Sequence, residues 1–169
     1  MSGWRQLRAI ALLPGNVAIV VPALILVLTS GPTPGWELGG AAAALLVVAG
    51  VALIVAGFSF WLWTVRLFSR IGEGTLAPWD PTSRLVVEGP YRYVRNPMIT
   101  AVTTLLVGEA ALFGSPWILA WAGIFLAANF VYFPRFEEPR LERRFGEQYR
   151  LYKRSVPRWV PLLDPWHPD

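Results

Sequence analysis

The 169-residue sequence contains no cysteine and a single histidine, His167, close to its end. The absence of cysteine excludes disulfides, thiolate nucleophiles and cysteine-ligated metals. One histidine in this position argues against a histidine-ligated metal site and against a Ser-His-Asp triad. We therefore expect no metal centre. Any chemistry must use carboxylates, arginines, tyrosines, amides and the backbone.

Charged residues are also missing from three long stretches. Residues 9–29 and 38–65 carry none, and residues 98–134 carry only Glu109. About 20 apolar residues cross the roughly 30 Å hydrocarbon core of a bilayer. The third stretch is too long for one span, and Gly114-Ser115-Pro116 divides it. The sequence thus predicts an all-α, integral membrane domain, with residues 1–169 as a single unit. The four expected helices cover about 9–29, 38–65, 98–113 and 116–134.

Two of these segments leave an alternative open. The first follows Arg5 and Arg8, as a cleaved signal peptide would, but its apolar run exceeds the usual length of about 7–15 residues. An uncleaved span is therefore favoured. Residues 98–113 are short for a full crossing, so a tilted or partly re-entrant hairpin is the alternative there.

Basic residues are unevenly distributed around the four segments. They precede the first helix, follow the second in the loop 66–97 and recur in the tail 135–169, but are absent from the two opposite turns. Because cytoplasmic loops are enriched in Lys and Arg, both termini and the long loop are predicted to be cytoplasmic. We expect the membrane to be the bacterial inner membrane. The net charge of +4 agrees with this bias and with anionic lipids, and it requires no nucleic-acid partner.

The tail begins with a helix signal. Pro139 suits the first turn of a helix that runs to about Lys153. At helical spacing, one mostly apolar and aromatic stripe contains Leu141, Phe145, Gln148, Tyr149 and Tyr152. This stripe predicts an amphipathic helix on or near the membrane surface. A solvated helix that packs on the domain is the alternative.

Two polar stretches carry a joint pattern. The first, GPYRYVRNPM at residues 89–98, precedes the hairpin, and the second, FEEPRLERRFGEQYRLYKRSVPRWVP at residues 136–161, follows it. Over residues 85–162 the order and spacing are similar to the isoprenylcysteine carboxyl methyltransferase superfamily, which includes phospholipid methyltransferases. The resemblance implies an enzyme that binds S-adenosyl-L-methionine. It would methylate a lipophilic or lipid acceptor, offering a carboxylate, amine or thiol, at the cytoplasmic face of the bilayer.

The resemblance also implies a set of site residues. The cofactor-binding positions are Ser83, Arg84, Leu85, Val86, Tyr91, Asn96, Pro97, Met98, Ile99 and Glu137. Glu138 is the catalytic candidate for removing a proton from an amine acceptor. Arg135 is the candidate for holding an anionic acceptor headgroup, with Arg92 and Arg158 as alternatives. Asn96 and Ile99 stand where the family often has histidine and tyrosine.

A carboxylate at membrane depth, here Glu109, is a functional candidate by default. Its place near the hairpin tip, away from the expected cofactor site, favours a structural acid. We expect it to accept a hydrogen bond from the indole of Trp121.

Two other functions are compatible with the sequence. One is a membrane reductase of related architecture that uses NADPH, which predicts a larger cofactor pocket with more phosphate-binding arginines, and this short chain supplies few loops for such a pocket. The other is a non-catalytic membrane protein that retained the scaffold, which the residues at Asn96 and Ile99 would favour. Cofactor binding separates these possibilities.

Overall fold

The computed structural model describes residues 11–29, 31–71 and 83–167. The described residues form helices and contain no β-strand, so the all-α fold class is confirmed. The predicted helix start at residue 9 and residues 72–82 of the predicted loop lie outside the described residues.

Six α-helices follow one another within the described ranges. They are α1 (Val21–Leu28), α2 (Gly40–Ile71), α3 (Pro97–Phe113), α4 (Pro116–Tyr132), α5 (Glu138–Phe145) and α6 (Glu147–Ser155). A π-helical segment, Ala11–Val20, precedes α1, and a π-helical turn, Phe133–Glu137, joins α4 to α5. Single 3₁₀ turns lie at Pro34–Glu37 and Gly89–Arg92.

Helix ends differ from the sequence prediction at two places. Helix α2 continues past its expected end at Val65 as far as Ile71. The expected single helix up to Lys153 is divided at Gly146, whose φ of 57° and ψ of −127° suit a residue without a side chain. This division separates α5 from α6.

Of the helices that the structure describes, two are long and apolar enough to cross a membrane, Gly40–Phe68 and the continuous helix Pro116–Phe145. Only 11% of the most apolar window of each is buried, so most of its side chains face outward, as they would in hydrocarbon. Gly15–Leu28 and Pro97–Phe113 are shorter apolar helices. The count of four spans and the cytoplasmic position of the termini stay predictions.

Glycines allow α2 and α3 to pack with their backbones close together. A methyl group added to Gly57 would lie 2.8 Å from the backbone nitrogen of Leu105, and one on Gly108 would lie 2.8 Å from that of Ile54. A methyl group added to Gly50 would likewise lie 2.6 Å from the backbone nitrogen of Leu112. Small residues at a membrane-type interface permit this approach. The tight pair fixes where the first turn of α3 lies relative to α2.

The predicted hydrogen bond between Trp121 and Glu109 is wrong. The indole N–H of Trp121 instead donates to the carbonyl of Val17 at 3.0 Å. That carbonyl lies in the π-helical segment, five residues before Pro22, which has no N–H to donate in this register. The acceptor is therefore available to a side chain from α4. One carboxylate oxygen of Glu109 is buried and accepts no hydrogen bond from any described residue.

Candidate functional site

The segment after α6, residues 156–166, lies along the loop 91–95 and is called the strap below. Three backbone amide groups connect the two segments. Arg95 N–H donates to the carbonyl of Pro157 at 2.9 Å, Leu162 N–H to that of Tyr93 at 2.9 Å, and Trp166 N–H to that of Arg92 at 3.0 Å. The strap therefore fixes the backbone of the loop immediately before α3.

A buried carboxylate, Glu138 at the start of α5, connects the loop, α6 and the strap. Its side chain accepts hydrogen bonds from Nη1 of Arg95 at 2.7 Å and from Nη2 of Arg158 at 2.9 Å. Nζ of Lys153 lies 3.5 Å from its second oxygen. The hydrogen bond to Glu138 raises the pKa of the Arg158 guanidinium. Because Glu138 is only 2% exposed, these cations are what make its burial tolerable.

A cavity of about 200 Å³ lies between the loop, the first turn of α3, the π-helical turn and α5–α6. Sites that enclose a drug-sized ligand usually measure about 300–1,000 Å³, so a ligand of that size would also occupy the open side of this cavity. Most of the residues proposed from the sequence meet here. These lining residues are Leu85, Val86, Tyr91, Asn96, Met98, Ile99, Glu137 and Glu138.

Four of the proposed residues lie elsewhere. Pro97 is fully buried at the start of α3, and Ser83, Arg84 and Arg135 are exposed and do not line the cavity. The catalytic roles proposed for Glu138 and Arg135 stay predictions.

Arg92 and Arg158, the two alternatives to Arg135 for holding an acceptor headgroup, both make contacts that involve the strap. Arg158 is bound to Glu138, and Nε of Arg92 donates to the carbonyl of Trp166 at 2.7 Å. Neither lines the cavity. Their observed contacts hold the strap in place.

Several lining residues were not proposed from the sequence. They are Phe68, Arg95, Phe133, Leu141, Phe145, Tyr149 and Tyr152. Phe68 reaches the site only because α2 is longer than expected, and its ring lies 5.4 Å from that of Tyr91. The sequence contains no local signal for the pairing of Arg95 with Glu138, because the two residues are separated by the hairpin.

The aromatic stripe of the tail is buried inside the protein. Tyr149 and Tyr152 form a core with Val156, against which Leu85 and Leu141 pack. Burial raises the pKa of Tyr149 to about 12, so its hydroxyl is neutral at physiological pH. The structure thus favours packing on the domain over contact with the membrane for this face of α5 and α6.

Replacing Tyr152 with phenylalanine is expected to lower the free energy of unfolding by about 1–3 kcal/mol. The Tyr152 hydroxyl donates to the carbonyl of Tyr91 at 2.7 Å, and the substitution leaves that buried acceptor unpaired. Denaturation in detergent, followed by circular dichroism, measures the change. The matched control is Tyr132→Phe, whose exposed hydroxyl lies 3.4 Å from Glu137 and should contribute less than about 0.5 kcal/mol. Equal effects of the two substitutions would contradict a positioning role for Tyr152.

The fold and the cavity define a class of protein: an all-helical, membrane-type domain whose cavity lies between the loop before a helical hairpin and the helix after it. The family model described as phospholipid methyltransferase matches residues 45–148, and the chain belongs to this family. The match indicates a methyltransferase that acts on a lipid-type substrate. Comparison with curated proteins and with solved structures gives no match.

Proposed function

We propose that the protein transfers a methyl group from S-adenosyl-L-methionine to a lipophilic acceptor at the cytoplasmic face of the membrane. The observation that carries this proposal is the family match, because residues 45–148 contain the loop, the hairpin and all but two of the residues that line the cavity. Those two are Tyr149 and Tyr152, which follow directly in α6.

The lining residues fit this cofactor chemically. Leu85, Val86 and the ring of Tyr91 offer an apolar surface for adenine, and the half-buried carboxylate of Glu137 can accept hydrogen bonds from ribose or ammonium groups. The amide nitrogen of Asn96, in a residue 7% exposed, is a buried donor without a partner in the described part of the chain. When bound, the cofactor supplies an electrophilic methyl group.

Charge in the cavity favours an amine acceptor over a carboxylate. Among the described lining residues, Arg95 is the only cation, and its guanidinium is used by Glu138 and by the carbonyl of Val156 at 2.9 Å. Two carboxylates, Glu137 and Glu138, also line the cavity. This arrangement supplies no unpaired guanidinium for an anionic acceptor, while negative charge stabilises a cationic sulfonium and a cationic amine.

Proton removal from an ammonium group requires a base before the nitrogen can attack. Both oxygens of Glu138 are engaged by cations, which stabilise its ionised form and weaken it as a proton acceptor. We therefore assign a positioning role to Glu138, and proton acceptance to the Glu137 oxygen that does not bind the cofactor. Arg135, being exposed and outside the cavity, is the weaker of the two original catalytic candidates.

Binding of S-adenosylhomocysteine and, separately, of NADPH to the purified protein tests this proposal by calorimetry. We expect micromolar binding of S-adenosylhomocysteine, weakened roughly 10- to 100-fold by Glu137→Ala, since a hydrogen bond to a charged group contributes about 1.5–3 kcal/mol. Glu142→Ala, which alters an acid outside the cavity, should bind normally.

Other results of these two titrations would indicate other functions. Binding of NADPH alone would identify a reductase, and binding of neither compound would identify a scaffold without this activity. If the cofactor product binds, transfer of labelled methyl groups to phosphatidylethanolamine tests the amine assignment. Methylation of a prenylcysteine carboxylate in preference to this lipid would contradict it.

A further inference from the structure

A second groove, of about 340 Å³, runs along the outer face of the helices. It lies beside the cavity rather than within it. Its lining residues come from α2, α3, α4 and the strap: Leu53, Thr103, Val107, Leu126, Phe130 and Trp159. The volume is within the range of about 300–1,000 Å³ typical of small-molecule sites, and none of the lining residues is charged. The groove is therefore suited to an uncharged, mainly apolar occupant.

A single aromatic layer separates this groove from the cavity. The ring of Trp159 stacks on Phe130 with centroids 4.3 Å apart, and its edge meets Phe133, a cavity residue, at 6.1 Å. On α3 the two sites adjoin, because Ile99 lines the cavity and the next residue, Thr100, lines the groove. Groove and cavity are neighbouring compartments with Trp159 in the wall between them.

The groove has the direction and chemistry of an acyl-chain site. From Thr100, next to the cavity, to Val107 it follows α3 for about 10 Å, at roughly 1.5 Å per residue. Helices that cross a bilayer run in the same general direction as its acyl chains. The hydroxyls of Thr103 and Thr104 donate to carbonyls one turn back, at 2.8 and 2.9 Å, so no hydroxyl donor is left unpaired toward hydrocarbon.

The Trp159 ring is held without a hydrogen bond. Its indole nitrogen is buried and has no partner among the residues that the structure describes. The ring contacts the aromatic side chains of Phe130 and Phe133. The Trp159 ring can therefore rotate without breaking a hydrogen bond. A side chain that opens and closes a passage between the groove and the cavity needs this property.

We propose that the groove binds an acyl chain of a phospholipid acceptor, and that displacement of Trp159 admits the attached headgroup to the cavity. The inference rests on the proposed function, since it names where the lipid part of that substrate lies. It also assigns Trp159 as a positioning residue that controls access between bilayer and cofactor.

Photo-crosslinking locates the chain directly. The probe is phosphatidylethanolamine with a diazirine in one acyl chain, incorporated into nanodiscs with the full-length protein. We expect labelling of peptides containing Thr103, Leu126 and Trp159 to exceed, at least 5-fold, labelling of Ile124, an exposed apolar residue of α4 outside the groove. Excess unlabelled phosphatidylethanolamine should remove the difference. Equal labelling of groove and outer surface would overturn the proposal.

Filling the groove provides the kinetic test. Thr103→Phe, or Val107→Phe at the deeper end, should raise KM for long-chain phosphatidylethanolamine about 10-fold while leaving turnover of a short-chain analogue within 2-fold. Ile124→Phe is the matched control, because it adds the same ring to the outer surface. Unchanged S-adenosylhomocysteine affinity and melting temperature confirm that each variant is folded.

The two proposals fail in different ways. Absence of S-adenosylhomocysteine binding in the wild-type protein removes the proposed function. Normal binding and methyl transfer, with KM unaffected in both groove variants, removes the groove as the acyl-chain site and leaves the function in place.

Discussion

Replacing Glu138 with alanine is expected to lower the free energy of unfolding by about 3–5 kcal/mol and to abolish cofactor binding. The substitution leaves Arg95, whose side chain is 9% exposed, without its carboxylate partner, and a buried charge that loses its partner is strongly destabilising. It also removes the group that joins α5 to the loop and to the strap through Arg158. Chemical denaturation in detergent and calorimetric titration with S-adenosylhomocysteine measure the two effects.

The matched control is Glu142→Ala on the same helix. Glu142 contacts Arg150 and Lys153 at 3.7 and 3.6 Å, but its side chain is 38% exposed. Ion pairs of this kind contribute at most about 1 kcal/mol. Glu138→Gln, which keeps hydrogen-bond acceptors but removes the charge, should fall between the two. Similar losses for Glu138→Ala and Glu142→Ala would show that the buried network does not hold the site together.

Replacing Gly57 with leucine is the second substitution with a large expected effect. The new side chain would begin 2.8 Å from the nitrogen of Leu105 and 2.9 Å from the carbonyl oxygen of Ala101, and backbone atoms cannot rotate away. Helices α2 and α3 must separate instead. Overpacking typically costs about 1–3 kcal/mol, and we expect the upper end here because the clash involves backbone. The predicted result is a clear fall in melting temperature with weakened cofactor binding.

Gly123→Leu supplies the comparison for this prediction. Among the described residues, no atom outside its own stretch of helix lies within 4 Å of a Cβ added at Gly123, although Gly123 is also in an apolar helix, α4. Its melting temperature should therefore stay near that of the wild type. A thermal unfolding assay compares the melting temperatures of Gly57→Leu and Gly123→Leu. Equal melting temperatures would mean that α2 and α3 tolerate a wider separation.

Local signals in the sequence were sufficient to predict the hairpin. Gly114 adopts the left-handed conformation with φ of 60°, the side chain of Ser115 accepts a hydrogen bond from the amide of Ile118, and Pro116 begins α4. Each residue performs a role that its chemistry favours independently of the rest of the fold. The division of residues 98–134 at this point is confirmed for that reason.

The contacts that complete the site could not be predicted from local signals. Arg95 meets Glu138 across 43 residues, and Arg158 meets it across 20, so the pairing depends on how the hairpin folds back. Similarly, Trp121 contains no sign that its partner is a carbonyl of the first segment, 104 residues away, rather than the nearby Glu109. Burial of the Tyr149 and Tyr152 stripe likewise depends on the strap, which has no regular periodicity.

The strap also determines when the site can exist during biosynthesis. Arg95 binds the carbonyl of Val156, which the ribosome adds 61 residues later, and Tyr152 reaches Tyr91 across the same interval. A nascent chain that has formed its hairpin therefore still lacks the segment that shapes the loop. The cavity is completed late in translation, so a chain interrupted after the hairpin would lack the contacts that hold its walls together.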